Sequence, residues 1–237
     1  MDLLAFDIGN SRIKVGLFVE DKLDTVFTVD ENELSAFINK FPDYKIAVSN
    51  VSKNKISTFF SDNLVNLFSL DNSKKLPFES QYKTPLTLGR DRVCNAAALS
   101  VYYPDNNKIC IDIGTCVKFD FVDKNNRYHG GSISPGLRLR YESLHEKTGN
   151  LPLLGYYKQH DLIGGDTMSS IHSGVYFGLT NEIQGFINHY NQLFDNLIVV
   201  VTGGDSKHFD LEQKNSIFAD ENFTIKGLFQ IFKLNES

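Results

Sequence analysis

The chain of 237 residues contains no tryptophan and only three cysteines, Cys94, Cys110 and Cys116. Three scattered thiols exclude a disulfide framework, and without a CxxC pair there is no thiolate zinc motif, so a reducing cytoplasm is the expected setting. No apolar run approaches the roughly eighteen residues of a membrane helix. The opening MDLLAFDIGN runs into a motif without the basic start, long apolar stretch and cleavage site of a secretory signal. The six histidines are dispersed without HExxH-like spacing, which marks them as surface or core residues rather than metal ligands. Positive charge is scarce as well: 24 Lys and Arg against 29 Asp and Glu leave a net charge of -5. That balance gives no electrostatic footprint for nucleic acid or an anionic membrane, so an anionic substrate has to be held by local donors.

Two stretches echo each other. Residues 6–18 read FDIGNSRIKVGLF and residues 111–122 read IDIGTCVKFDFV. Each has an apolar strand entry, Asp-Ile-Gly, a small polar residue (Asn10, Thr115) and an alternating stretch that carries a lysine (Lys14, Lys118). The two aspartates are 112 − 7 = 105 residues apart, nearly half the chain. This predicts two related lobes, 1–107 and 108–237, each opening with the same hairpin. Gly9 and Gly114 permit a turn whose N–H groups aim at an anion, with Asn10, Ser11, Thr115 and Lys14 as further donors. Asp7 and Asp112, where a strand ends beside that turn, suit a hard cation or its waters. Either copy alone reads as an ordinary tight turn; the matched pair favours a nucleotide triphosphate held between the lobes.

Alternation predicts strands over residues 2–8 and 12–19 and a third through Val26 to Val29. Glu33–Lys40 has helical spacing, Lys45–Val51 reads as a strand, and Ile56–Leu64 as a helix. Strands mixed with helices in this order point to an α/β fold. Asn72–Thr87 reads as irregular. Asp91 then opens a helix whose expected buried stripe is Cys94, Ala97, Ala98 and Val101, small residues that let a helix or a ligand come close. A carboxylate in the first helical turn is favoured by the dipole, and helix initiation alone would also explain it.

Asp105–Lys108 reads as a polar turn at the lobe boundary. HGGSISPGL, His129–Leu137, reads as a backbone-rich loop open to a ligand or as a plain two-turn connection. A short helix is predicted over Leu137–Lys147. Asp166 or Thr167 can cap a long helix striped by Met168, Ile171, Val175, Leu179, Ile183, Phe186, Ile187, Tyr190 and Phe194, a core or subunit face. Leu197–Val201 is an apolar strand running into Thr202, Gly203, Gly204 and Asp205, where open α/β sheets take ligands. The stretch FADENFTIKGLFQIFKLN reads as a closing amphipathic helix.

The order DIGNSRIK, Tyr82 with PLTLGRDR and NAAAL, DIGT, GGSISPGL, Thr167 in DTMSSIHSGVYFG and TGGD resembles the type III pantothenate kinases. That family belongs to the acetate and sugar kinase, Hsp70 and actin superfamily. The resemblance spans essentially the whole chain. It implies two duplicated actin-like, ribonuclease H-like lobes, each with a mixed central sheet, and an active site in the interlobe cleft.

The resemblance implies ATP-dependent phosphorylation of pantothenate to 4′-phosphopantothenate, the first step of coenzyme A biosynthesis. It places ATP on Asp7, Ile8, Gly9, Asn10, Ser11, Arg12, Ile13, Lys14, Thr115, Gly203 and Gly204. It places pantothenate on Tyr82, Gly89, Arg90, Asp91, Arg92 and Thr167, with Asp91 accepting the proton of the attacking hydroxyl. Asp7 would stand near Mg2+, directly or through water, and Asp112 at a monovalent cation, K+ or NH4+. A cytoplasmic homodimer is implied, the second subunit completing the pantothenate site.

Two positions depart from the family pattern DxGTAxT: Cys116 stands for the alanine, a modest volume change, and Lys118 for the last threonine, where a cation replaces a hydroxyl. Lys118 either substitutes for the monovalent cation or points to solvent, and solvent is the expectation taken here. Two further functions stand beside the kinase reading: a sugar kinase of the same superfamily, which the GRDR motif before a small-residue helix disfavours, and a nucleotide-dependent regulatory protein without catalysis. Asp7, Asp91 and Asp112 together disfavour the latter.

Overall fold

The computed structural model describes residues 1–10, 12–54, 60, 67–158, 161–211 and 217–236, which form two compact units. The first comprises Met1–Asp105, Val122–Gly130 and Asn222–Ser237, and the second Asn106–Phe121 and Gly131–Glu221.

In the first unit β1 (Leu3–Ile8), β2 (Ile13–Val19), β3 (Lys22–Val29), β4 (Lys45–Asn50) and β5 (Leu67–Ser69) form a sheet in the order β3-β2-β1-β4-β5. β1 lies antiparallel to β2 and parallel to β4, and β4 is parallel to β5. Side chains alternate across a strand. Leu4, Phe6 and Ile8 therefore join Val15, Val48 and Leu34 of α1 (Leu34–Ile38) in one buried cluster. Leu3, Ala5 and Asp7 share the opposite face.

Two helices, α2 (Arg90–Tyr102) and α5 (Phe223–Glu236), pack together, and α5 also contacts β1, β2 and β4. Phe229 stacks on Phe18 with ring centroids 4.2 Å apart. Gly227 lies so close to the Cys94 carbonyl that a methyl group there would collide with it. The small residues of α2 thus admit another helix. Burial runs unbroken from Arg92 to Ser100, while Val101, expected in the stripe, is 38% exposed. With neighbours this close on several sides, a single-stripe pattern does not describe the helix.

The second sheet has the order β11-β10-β7-β8-β9-β6. Its strands are β7 (Lys108–Ile113), β8 (Cys116–Val122), β9 (Arg127–Pro135), β10 (Ile198–Thr202), β11 (Ile217–Ala219) and β6 (Glu79–Ser80). The order β3-β2-β1-β4-β5 recurs as β9-β8-β7-β10-β11, and β10 runs parallel to both β7 and β11, as β4 does to β1 and β5. The echo in sequence is a duplication in topology. Ile109, Ile111, Ile113, Phe119 and Val199 pack against α3 (Leu137–Glu146) and α4 (Thr167–Leu193), whose Ile171, Val175, Leu179, Ile183 and Ile187 carry the expected stripe. Met168 falls outside it, at 53% exposure. Of the two candidate caps Asp166 is the one used: it accepts the Ser169 N–H at 2.8 Å, and its own N–H donates to Ser169 Oγ at 3.0 Å.

Several expectations are corrected. HGGSISPGL is not a loop: β9 runs through both glycines to Pro135. Glycine reads as a loop signal in sequence, yet here it serves close approach, since a side chain at Gly131 would strike the Phe119 carbonyl. Lys108 is not a turn residue but the fully buried start of β7. Ile217–Ala219 is a strand, and the closing helix begins only at Phe223. The helix expected over Glu33–Lys40 is a 3-10 turn, Glu31–Glu33, followed by α1. The helix expected over Ile56–Leu64 lies outside the described residues apart from Phe60, which meets Phe6 edge-on at 5.2 Å. Among the described residues no helix is long and apolar enough to cross a membrane.

Candidate active site

The first hairpin puts Asp7 directly across from Lys14 in the β1–β2 register. Gly9 N–H donates to the Arg12 carbonyl at 3.1 Å and closes the turn. Ile8 and Ile13 are buried and anchor its base, while Asn10 and Arg12 are exposed; Ser11 lies outside the described residues. Asp7 faces α2. The buried Cys94 thiol of that helix is pushed well up in pKa, first by burial and then by the charge of Asp7, with Asp91 adding to it and a hydrogen bond with Ser49 opposing. Both carboxylates are therefore felt at one point of α2, and the thiol stays protonated.

Asp91 sits in the first turn of α2, where its Oδ1 accepts the Arg92 N–H at 2.8 Å. Gly89 precedes the helix, and a side chain there would come within 2.6 Å of the same carboxylate oxygen. Gly89 thereby leaves Asp91 its position. Arg90 donates to Asn72 Oδ1 at 2.7 Å. Arg92 is 4% exposed, and its guanidinium lies 5.6 Å from the centre of the Tyr82 ring, a cation–π arrangement. The Tyr82 ring lies over Gly130, where φ is +94° and any Cβ would stand 2.9 Å from the ring. Gln81 N–H donates to the Tyr128 carbonyl at 2.8 Å, fixing the approach to Tyr82. The structure therefore gathers Tyr82, Gly89, Arg90, Asp91 and Arg92 in the first unit, and adds Gly130 and Asn72, which sequence reasoning did not single out in these parts.

In the second unit Gly114 N–H donates to the Cys116 carbonyl at 3.1 Å, and the Thr115 carbonyl accepts the Gly136 N–H at 3.0 Å. Gly203 has φ +96° and packs against the Ile113 carbonyl; a side chain there would meet Asp112 Oδ1 at 2.6 Å. Asp205 N–H donates to the Ile113 carbonyl at 3.0 Å, and Ser206 Oγ to the Gly203 carbonyl at 2.7 Å. Asp112, Thr115, Gly203 and Gly204 are thus brought to one end of β7 and β10.

Lys118 does not point to solvent. Its Nζ lies 2.7 Å from Asp112 Oδ2, and the two side chains are only 18% and 11% exposed. A lysine stem on a strand beside a nearly buried carboxylate loses more by leaving it uncompensated than it gains from water.

Thr167 begins α4 and lines a cavity of about 690 Å³ with Arg140, Ser143, Leu151, Ser170 and Gly174. Arg140 is held there by Glu182 and by the Pro135 carbonyl, the latter at 2.9 Å. This cavity depends on α3 meeting α4, a contact with no local sequence signal.

A sequence model of the family described as type III pantothenate kinase matches residues 3–189. A type III pantothenate kinase of Flavobacterium johnsoniae is 40% identical over 237 residues, covering 98% of this chain and 97% of its own length. The chain belongs to the type III pantothenate kinases. One from Bacteroides fragilis is 38% identical over 239 residues, covering 98% of each chain. Among solved structures, a Campylobacter jejuni protein described as a Baf family transcriptional activator superposes with a TM-score of 0.65 at 23% identity, covering 98% of both chains. A Listeria monocytogenes protein described as an N-acetylmannosamine kinase gives 0.51 at 15% identity over 100% of both. These two likenesses bear on the fold, which is the two-lobed actin-like α/β fold expected. Members of this kinase family use ATP. The monovalent cation that the resemblance puts at Asp112 does not fit the residues present, because the Lys118 ammonium already stands on that carboxylate. A second unit charge about 4 Å away would be repelled by about 4 kcal/mol at an effective dielectric of about 20.

Proposed function

We propose that this chain transfers the γ-phosphoryl group of ATP to the primary hydroxyl of pantothenate, giving 4′-phosphopantothenate at the entry to coenzyme A biosynthesis in the cytoplasm. The observation that carries this is the Asp91 carboxylate, held at the start of α2 by Arg92 N–H and given room by Gly89, in a chain of this family. Phosphoryl transfer asks for positioning and charge neutralisation more than covalent chemistry. In this reading Asp91 orients the attacking hydroxyl and takes its proton as the new P–O bond forms, an alcohol being too weak an acid to lose it earlier. Arg92, steadied by the Tyr82 ring, suits the planar carboxylate of pantothenate. Gly89 and Arg90, next to Asp91 in the chain, and Thr167 at the start of α4 are further pantothenate contacts in this reading.

The first hairpin offers Asn10, Ser11, Arg12 and Lys14 to the phosphates, with Ile8, Ile13 and the Gly9 N–H bond to the Arg12 carbonyl holding the turn. The second unit offers Thr115 to ATP and the Gly203–Gly204 backbone to the adenosine. Mg2+ fits the first hairpin: it needs one or two carboxylates beside phosphates and waters rather than an all-protein cage, and Asp7 is a hard oxygen donor at the end of β1. When bound, the ion supplies charge neutralisation between the phosphates. We further propose a homodimer whose second subunit completes the pantothenate pocket.

The test is pantothenate-dependent release of ADP by the purified chain. Asp91→Asn should lower turnover by about 10²-fold or more while ATP still binds. A folded Asp91→Asn protein with undiminished turnover would remove the base assignment.

A further inference from the structure

We infer that Lys118 is a tethered monovalent cation, an ammonium built into the second hairpin where the family resemblance calls for a dissociable ion, so that the kinase works without K+ or NH4+. This rests on the kinase reading above.

Three observations carry it. The Lys118 Nζ is 2.7 Å from Asp112 Oδ2, with both side chains largely buried, so this is not a pair on the solvated surface, where such contacts contribute little. The carboxylate has little room to turn away: Gly203 packs beside its other oxygen, close enough that any side chain there would meet it at 2.6 Å. The strand that carries the lysine is fixed as well, since Val117 and Phe119 on either side of it are fully buried. A lysine ammonium is a compact point charge with three donors. In charge and in its choice of oxygen partners it matches NH4+, but its tether holds it at the site at any salt concentration.

The position of Asp112 says what that charge touches. The carboxylate lies at the end of β7 beside the Gly114–Thr115 turn, and the Gly203 turn is pinned to the same strand end through the Ile113 carbonyl. A fixed positive charge there keeps Asp112 from repelling the phosphates that Thr115 is proposed to bind. The Asp7–Lys14 pairing across the first hairpin shows the same composition in the other unit. Each hairpin thus carries its own aspartate and lysine.

The experiment compares wild type with Lys118→Thr, the residue the family pattern has there, in Na+ medium alone and with added K+ or NH4+. Wild type should release ADP at rates within about twofold across the three media, whereas Lys118→Thr should fall by about tenfold or more in Na+ and recover with K+ or NH4+. A second readout does not depend on turnover. The thermal midpoint of wild type should be the same in K+ and Na+, and that of Lys118→Thr should rise in K+, because an ion that binds only the folded state stabilises it. Wild type that is active only with K+, or whose midpoint rises in K+ over Na+, overturns the inference and leaves the kinase reading standing. Wild type without pantothenate-dependent ADP in any of the media overturns the kinase reading, and the inference with it. The wild-type arms need no variant to fold.

Discussion

The two hairpins that repeat Asp-Ile-Gly share a topology and differ in their surroundings. In the first, residues 9–12 link the strands, and Asn10 and Arg12 are exposed. In the second, Gly114 and Thr115 alone make the link, and other backbone closes on it: Gly136 on Thr115, Gly203 on Ile113 and Asp112. Lys14 stands across from Asp7, and Lys118 is locked to a carboxylate that Gly203 crowds from the other side. The same turn motif is therefore an exposed set of donors in one unit and a boxed, charge-neutralised support in the other. Neighbours contributed by distant sequence made the difference, more than the motif itself.

That contrast can be broken by substitution. The largest effect is expected at Asp7, the carboxylate proposed to stand by Mg2+: Asp7→Asn should lower pantothenate-dependent turnover by about 10²-fold or more with little change in folding stability, measured by ADP release beside urea unfolding. Next comes the boxed turn. Gly203→Ala forces a side chain into the Ile113 carbonyl at φ +96° and should cost about 1–3 kcal/mol in urea unfolding. Gly9→Ala should cost less than about 1 kcal/mol, because among the described residues its Cβ meets only the Arg12 carbonyl at 3.3 Å and no positive φ is involved. Equal losses at Gly9 and Gly203 would contradict the contrast between the two turns.

A smaller effect sits at the far ends of the same meanders. Asp21, at the β2–β3 turn, has its pKa lowered first by hydrogen bonding to Lys233 and then to the terminal ammonium. Asp123, at the β8–β9 turn, is held to about 2: partial burial pushes upward and is outweighed by hydrogen bonds from His129, the Arg127 and Asn125 N–H groups and the Arg127 side chain. A folded pKa below the unfolded value means stability that is present above about pH 4 and lost as pH falls from there toward 2. Asp123→Asn should flatten the acid limb of a stability–pH profile. Salt should weaken the Asp21 contribution more, since it rests on exposed ion pairs while Asp123 also rests on backbone donors.

What was legible in the sequence was local. The Asp-Ile-Gly repeat announces both hairpins because glycine and aspartate at a strand end have few other uses, and the stripe of α4 from Ile171 to Ile187 follows from its 3.6-residue period. Asp91 at a helix start is legible for the same reason. What was not legible depends on partners far away in sequence. The two glycines of β9 signal a loop until the Phe119 carbonyl and the Tyr82 ring are seen against them. Lys118 reads as a surface charge until Asp112 is seen beside it. Val101 fits a stripe on a helical wheel, but α2 is enclosed through Ser100 and ends in the open. The Thr167 cavity, with Arg140 held by Glu182, needs two helices to meet.

The most direct test of the central claim is the product formed from MgATP and pantothenate by the purified chain, identified by mass and by NMR at the 4′ carbon. The account predicts pantothenate carrying one phosphoryl group on its primary hydroxyl, formed in step with ADP. Folded, ATP-binding protein that leaves pantothenate unchanged would contradict it.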